Sequence, residues 1–298
     1  MDPAGVAACA AYLEHLSDED LRVVAARAQP GATPDRMRSE PQLLAAGLAD
    51  PGTFDAVFGP PGDEEPLGRL SPFLVFAVAV ERARVDVERS GFVPEWLGPR
   101  RRVPVFGPTD LREFLADPWR RLFLVRLLGS YTHVTSGSVF VPTRRGYRRQ
   151  RFSELDPVRL AGLLEVVPAS ERPGIYRRLG DLALFLTGVF PDHTATAGFG
   201  PVAEARLLRA GRLAATSWPD ATTSPMALGD NGAVGLLEEL GRRWYRLCAD
   251  AVPPPRSRDL DVVADLAHHF VQARRILNLV TDRYLFPLRD RWFGPAMG

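Results

Sequence analysis

The residues best spaced for chemistry lie near the C-terminus, where Asp261, Asp265 and His268 read Asp-x-x-x-Asp-x-x-His. Intervals of three and four bring side chains together on one side of a helix, and metal sites in helical bundles use carboxylate and histidine at such intervals. A buried metal site needs all three to face inward. The same stretch dictates the opposite, because Val263, Leu266, Phe270, Ala273, Leu277, Val280 and Tyr284 recur at steps of three and four. That is an apolar seam. It predicts that the two acids and His268 form a solvated face, with metal ligation as the alternative. His269, beside the seam, is expected to be partly covered.

The other groups suited to acid–base work are Glu81, Asp181, His193 and His269. Glu81 sits where an apolar helix becomes charged, and an intrahelical pair with a neighbouring arginine is its expected state. Asp181 precedes the apolar run Leu182 to Phe190, with Arg177 and Arg178 one turn earlier. Desolvation there raises a carboxyl pKa unless an arginine compensates, so an aspartate held by arginine is favoured over a general base. His193 follows Pro191 and Asp192 in a stretch read as loop. Gly198 to Ala203 formally fits Gly-x-Gly-x-x-Ala, but a dinucleotide turn needs a buried strand before it, and Asp192 to Ala197 is polar.

Every one of the 37 basic residues is arginine. Without lysine there is no Schiff base, no pyridoxal phosphate anchor and no Walker-type ATP lysine. No cofactor is expected. The two cysteines, Cys9 and Cys248, supply neither a disulfide framework nor a metal cluster.

The densest functional signal is a run of arginines. Arg144, Arg145, Arg148, Arg149 and Arg151 fall within eight residues, interleaved with Tyr147. Guanidinium groups form bidentate bonds with phosphates and carboxylates. Thr132 to Val141 is rich in β-branched and aromatic residues, Pro142 to Gly146 supplies a turn, and Tyr147 to Phe152 alternates again, which predicts a hairpin over about 132–152. A winged-helix arrangement would place the helix from Asp117 to Gly129 in a major groove. Leu122, Phe123, Leu124, Val125, Leu127 and Leu128 make it a core helix instead. The formal net charge of +1 gives no global attraction to nucleic acid, so an acidic protein or other anionic partner is expected ahead of nucleic acid. An interaction or regulatory protein is the leading reading, and a helical-bundle enzyme the other.

These groups rest on a mainly α frame, with helices expected at 71–90, 118–130, 172–190, 232–250 and 259–286, and residues 91–108 and 192–200 as connections. Residues 1–58 read as a small helical lead-in and 69–298 as the main domain with a hairpin insertion, with one continuous domain as the alternative. The longest apolar run, Leu70 to Val80, falls short of the ~20 residues that cross a bilayer, and Met1-Asp2-Pro3-Ala4 lacks a basic n-region. A cytoplasmic protein without membrane insertion is expected.

Overall fold

A computed structural model describes residues 2–59, 70–143, 146–212 and 232–288, and for residues 139–143, 146–152, 212 and 288 the backbone alone. The fold is mainly α, with 15 α-helices and two two-stranded sheets among the described residues. The chain divides into two compact units, one made of residues 1–95, 104–132 and 275–298, the other of 96–103 and 133–274.

The first unit opens with five short helices, α1 (Pro3–Leu13), α2 (Asp18–Ala28), α3 (Pro34–Ser39), α4 (Gln42–Ala49) and α5 (Pro51–Phe58). Four of them start on a capping side chain, Asp2, Ser17, Thr33 or Asp50, that accepts a first-turn amide. At α2 the capping box is reciprocal: Ser17 Oγ accepts the Asp20 amide at 3.1 Å and Asp20 accepts the Ser17 amide at 2.9 Å. The other oxygen of Asp20, fully buried, accepts the backbone amide of Ser71 at 2.9 Å. Ser71 is the N-cap of α6 (Pro72–Arg89). One carboxylate therefore ties together the starts of two helices 51 residues apart.

The first half of α6 is covered on all sides, with Leu74, Val75, Ala77, Val78, Ala79 and Val80 buried. It packs on α8 (Pro118–Ser130), which follows α7 (Thr109–Ala116) and whose six apolar residues from Leu122 to Leu128 are likewise buried. Arg112 closes the C-terminus of α6 by donating to the carbonyls of Val87 and Ser90 at 3.1 and 2.8 Å. Asp86 accepts the Tyr284 hydroxyl at 2.7 Å and pairs with Arg82 and Arg283, both at 3.1 Å.

Residues 91–108, expected as a connection, contain a two-stranded ribbon, β1 (Phe92–Gly98) and β2 (Arg101–Phe106), turning where Arg100 takes a φ of 58°. Pro94 and Pro104 mask it in sequence. A ribbon with no third strand leaves outward edges where a missing N–H costs nothing.

The second unit holds the predicted hairpin, β3 (Ser136–Thr143) and β4 (Gly146–Ser153), antiparallel with Ser136 opposite Ser153 and Thr143 opposite Gly146. After α9 (Pro157–Ala161) and a 3-10 turn comes α10 (Arg172–Val189). Pro191 ends α10 but also opens α11 (Pro191–Ala197), since its fixed φ suits a first helical turn; the expected loop at 192–200 is helical to Ala197. Then follow α12 (Pro201–Arg212), α13 (Gly232–Asp250), α14 (Arg258–His268) and α15 (Phe270–Val280), whose residues from Arg275 onward belong to the first unit. The antiparallel pair α10 and α13 forms the centre of this unit, where Gly180 lies against the ring of Tyr245 and Gly241 against that of Phe270.

The single C-terminal helix expected over 259–286 is interrupted at His269, and a π-helical turn covers Thr281–Leu285. At the break His269 Nδ1 lies 3.0 Å from the Asp265 carbonyl, which also accepts the His269 amide at 3.2 Å. Across the break the seam persists, with Val263, Leu266, Phe270, Ala273, Leu277, Val280 and Tyr284 all buried.

Candidate functional site

The hairpin is rooted by its own flanks. Glu154 donates its amide to the Thr135 carbonyl at 3.2 Å, and its carboxylate accepts the Thr135 amide at 3.0 Å. The same carboxylate meets Arg178 of α10 at 3.3 Å. Asp156 caps α9 through the amides of Val158 and Arg159, both at 3.0 Å, and pairs with the Arg159 side chain. Both acids flanking the arginine strand are thus engaged by groups outside it. The exposed stretch Thr132 to Gly137 leads into β3.

The backbone register sets Tyr147 opposite Pro142, Arg148 opposite Val141, Arg149 opposite Phe140 and Arg151 opposite Ser138. Arg144 and Arg145 lie outside the described residues, as do the side chains of Tyr147, Arg148, Arg149 and Arg151.

The candidate acids and histidines have separate surroundings. Glu81, in the first unit, pairs with Arg84 on its own helix and with Arg121 of α8 at 3.2 Å. In the second unit, Asp181 accepts Arg177 Nε on both oxygens, at 3.0 and 3.1 Å, and the Tyr245 hydroxyl at 2.9 Å. Burial pushes its carboxyl pKa up, while Arg177 and Tyr245 pull the other way. Beside this group Cys248 is a free, buried thiol whose pKa burial also raises. The Arg177 partner was legible from spacing; Tyr245, 64 residues away, carried no signal.

His193 is exposed on α11. Its neighbour Asp192 accepts Trp96 Nε1 at 2.6 Å and Arg102 at 3.3 Å, and these donors bring its carboxyl below the usual range despite partial burial. His269 is half-buried against Asp265, Nδ1 to Oδ1 at 3.1 Å. Asp261 and His268 are exposed on α14, outside the seam. Among the described residues no three His, Cys, Asp or Glu side chains stand together as a metal-binding group.

No helix among the described residues is long and apolar enough to cross a membrane. Of the arrangements above, Asp181 with Arg177 and Tyr245 is a closed, mutually satisfied cluster, whereas the hairpin carries the arginine-dense stretch of the sequence on its second strand. Comparison with models of protein families, with curated proteins and with solved structures gave no match, so the reading of function rests on this geometry.

Proposed function

We propose that this is a non-enzymatic interaction protein that presents the β3–β4 hairpin to an acidic protein surface. The observation that carries the reading is the crowding of Arg144, Arg145, Arg148, Arg149 and Arg151 within eight residues of sequence, the last three of them on strand β4 of a two-stranded ribbon. Forked guanidinium groups suit carboxylates. The acids nearest in sequence, Glu154 and Asp156, already bind Arg178, Arg159 and backbone amides, which supports a role for the arginines beyond pairing with those two. A protein partner is favoured over nucleic acid by the near-neutral chain and by α8, whose apolar side chains are committed to the core. No cofactor enters this reading.

The test is binding of a poly-glutamate peptide and of a short DNA duplex over a salt series. The native chain is expected to bind the peptide more tightly than the duplex, with affinity falling as salt rises. Replacing Arg144, Arg145, Arg148 and Arg149 by alanine is expected to abolish most of that affinity and flatten its salt dependence, with the melting temperature nearly unchanged. Equal peptide binding by the two proteins refutes the reading, and preference for the duplex transfers it to nucleic acid.

A further inference from the structure

The start of α10 carries two polar groups that the fold buries and leaves unanswered. Tyr176 is only 3% exposed, yet its hydroxyl has no hydrogen-bond partner. Arg172, one turn earlier, has a buried Nε that is also without a partner, and among the described residues it forms no ion pair. Positions four apart share one side of a helix, so these two groups adjoin. Buried polar groups are ordinarily hydrogen-bonded, and exceptions ask for a ligand or another explanation.

Their surroundings are cationic. Arg243 of α13 donates through Nε to the Gly211 carbonyl at the end of α12. Its guanidinium and that of Arg172 both act on the Tyr176 phenol, opposing the rise in pKa that burial causes. Arg172 is also the first residue of α10, and Glu171 before it provides no side-chain cap.

We propose that Arg172, Tyr176 and Arg243 form a binding site for a small phosphate-bearing anion, with the tetrahedral group received by two guanidiniums and one phenolic hydroxyl. Phosphate fits better than carboxylate because donors converge from two helices. A group with three or four acceptor oxygens can meet all of them, whereas a planar carboxylate meets a single fork. The site is separate from the arginine hairpin and does not depend on the reading given to it.

Titration calorimetry of the full chain with inorganic phosphate, at constant ionic strength and against acetate, tests the site. Phosphate is expected to bind and acetate to bind much more weakly. Tyr176→Phe is expected to weaken phosphate by about tenfold or more, the worth of one hydrogen bond to a charged group. Its melting temperature in phosphate-free buffer should not fall, because the hydroxyl has no partner to lose. Arg172→Gln is expected to weaken binding at least as much; if that variant fails to fold, Tyr176→Phe decides alone. The alanine variant of the hairpin arginines is expected to keep wild-type phosphate affinity. No heat with phosphate, equal heats with acetate, wild-type affinity in Tyr176→Phe, or loss of binding in the hairpin variant would each overturn the proposal.

Discussion

Substituting Gly180 by alanine tests how closely α10 and α13 cross. A Cβ at that position would stand 2.4 Å from Cδ1 and Cε1 of Tyr245. Carbon atoms settle about 3.5–4.0 Å apart, so ring or helix must retreat by more than about 1 Å. Tyr245 is poorly placed to yield, since its hydroxyl is held on Asp181 at 2.9 Å and its ring packs 5.8 Å from that of Phe270. Overpacking of this kind costs about 1–3 kcal/mol, against which the better helix propensity of alanine returns up to about 1 kcal/mol. A net loss of about 1–2 kcal/mol is expected, read as a lower urea midpoint by far-UV circular dichroism. Gly129 in α8 is the control, because the nearest atom to its added Cβ is Phe73 Cδ2 at 4.0 Å. Gly129→Ala should gain about 0.5–1 kcal/mol from propensity alone. In a Tyr245→Ala background, Gly180→Ala should likewise become stabilising. A Gly180→Ala protein as stable as wild type would refute the close crossing.

Asp20→Ala leaves the amides of Ser17 and Ser71 without their acceptor, and a loss of about 2–4 kcal/mol is expected by thermal denaturation; a loss of only a few tenths would show that the carboxylate does not tie α2 to α6. Asp181→Asn changes the pH dependence of stability. Because burial raises the Asp181 pKa in the folded state, the folded protein holds that proton more tightly than the unfolded chain does. Its contribution favours folding at acid pH and is lost as pH rises through the folded value. The stability of wild type relative to Asp181→Asn should therefore fall as pH increases from about 4, and parallel curves would contradict the assignment.

Regular periodicity made much of the frame legible. The seven-residue seam from Val263 to Tyr284 is buried as its spacing requires, α13 spans the stretch its pattern marks out, and the β-branched run before Pro142 pairs with the arginine strand. Local exceptions were hidden because they depend on three-dimensional partners. The break at His269 comes where an imidazole lies against a carbonyl four residues back, a contact that periodicity does not register. Pro191 reads as a terminator, yet one ring both ends α10 and begins α11. In α10 the buried side includes Tyr176, Gly180 and Ala183, while the apolar Ile175 and Leu186 are only half-covered. Around Asp181 the intrahelical arginine could be read from spacing, but the distant tyrosine and the unsatisfied hydroxyl of Tyr176 could not. Capping was the most informative local code: Ser17, Asp50, Ser71, Asp117 and Asp156 each begin the helix that their side chain marks.

The discontinuous make-up of the first unit bears on how the chain is made. Its N-terminal stretch leaves the ribosome first, but Leu277, Val280 and Tyr284, which belong to the same unit and are buried, emerge only after residues 133–274 have been synthesised. That unit must wait, part-built and with apolar surface uncovered, while the second can assemble during translation. Nascent chains halted before Arg275 should consequently yield to protease across residues 1–95 while the segment from α10 to α13 already resists.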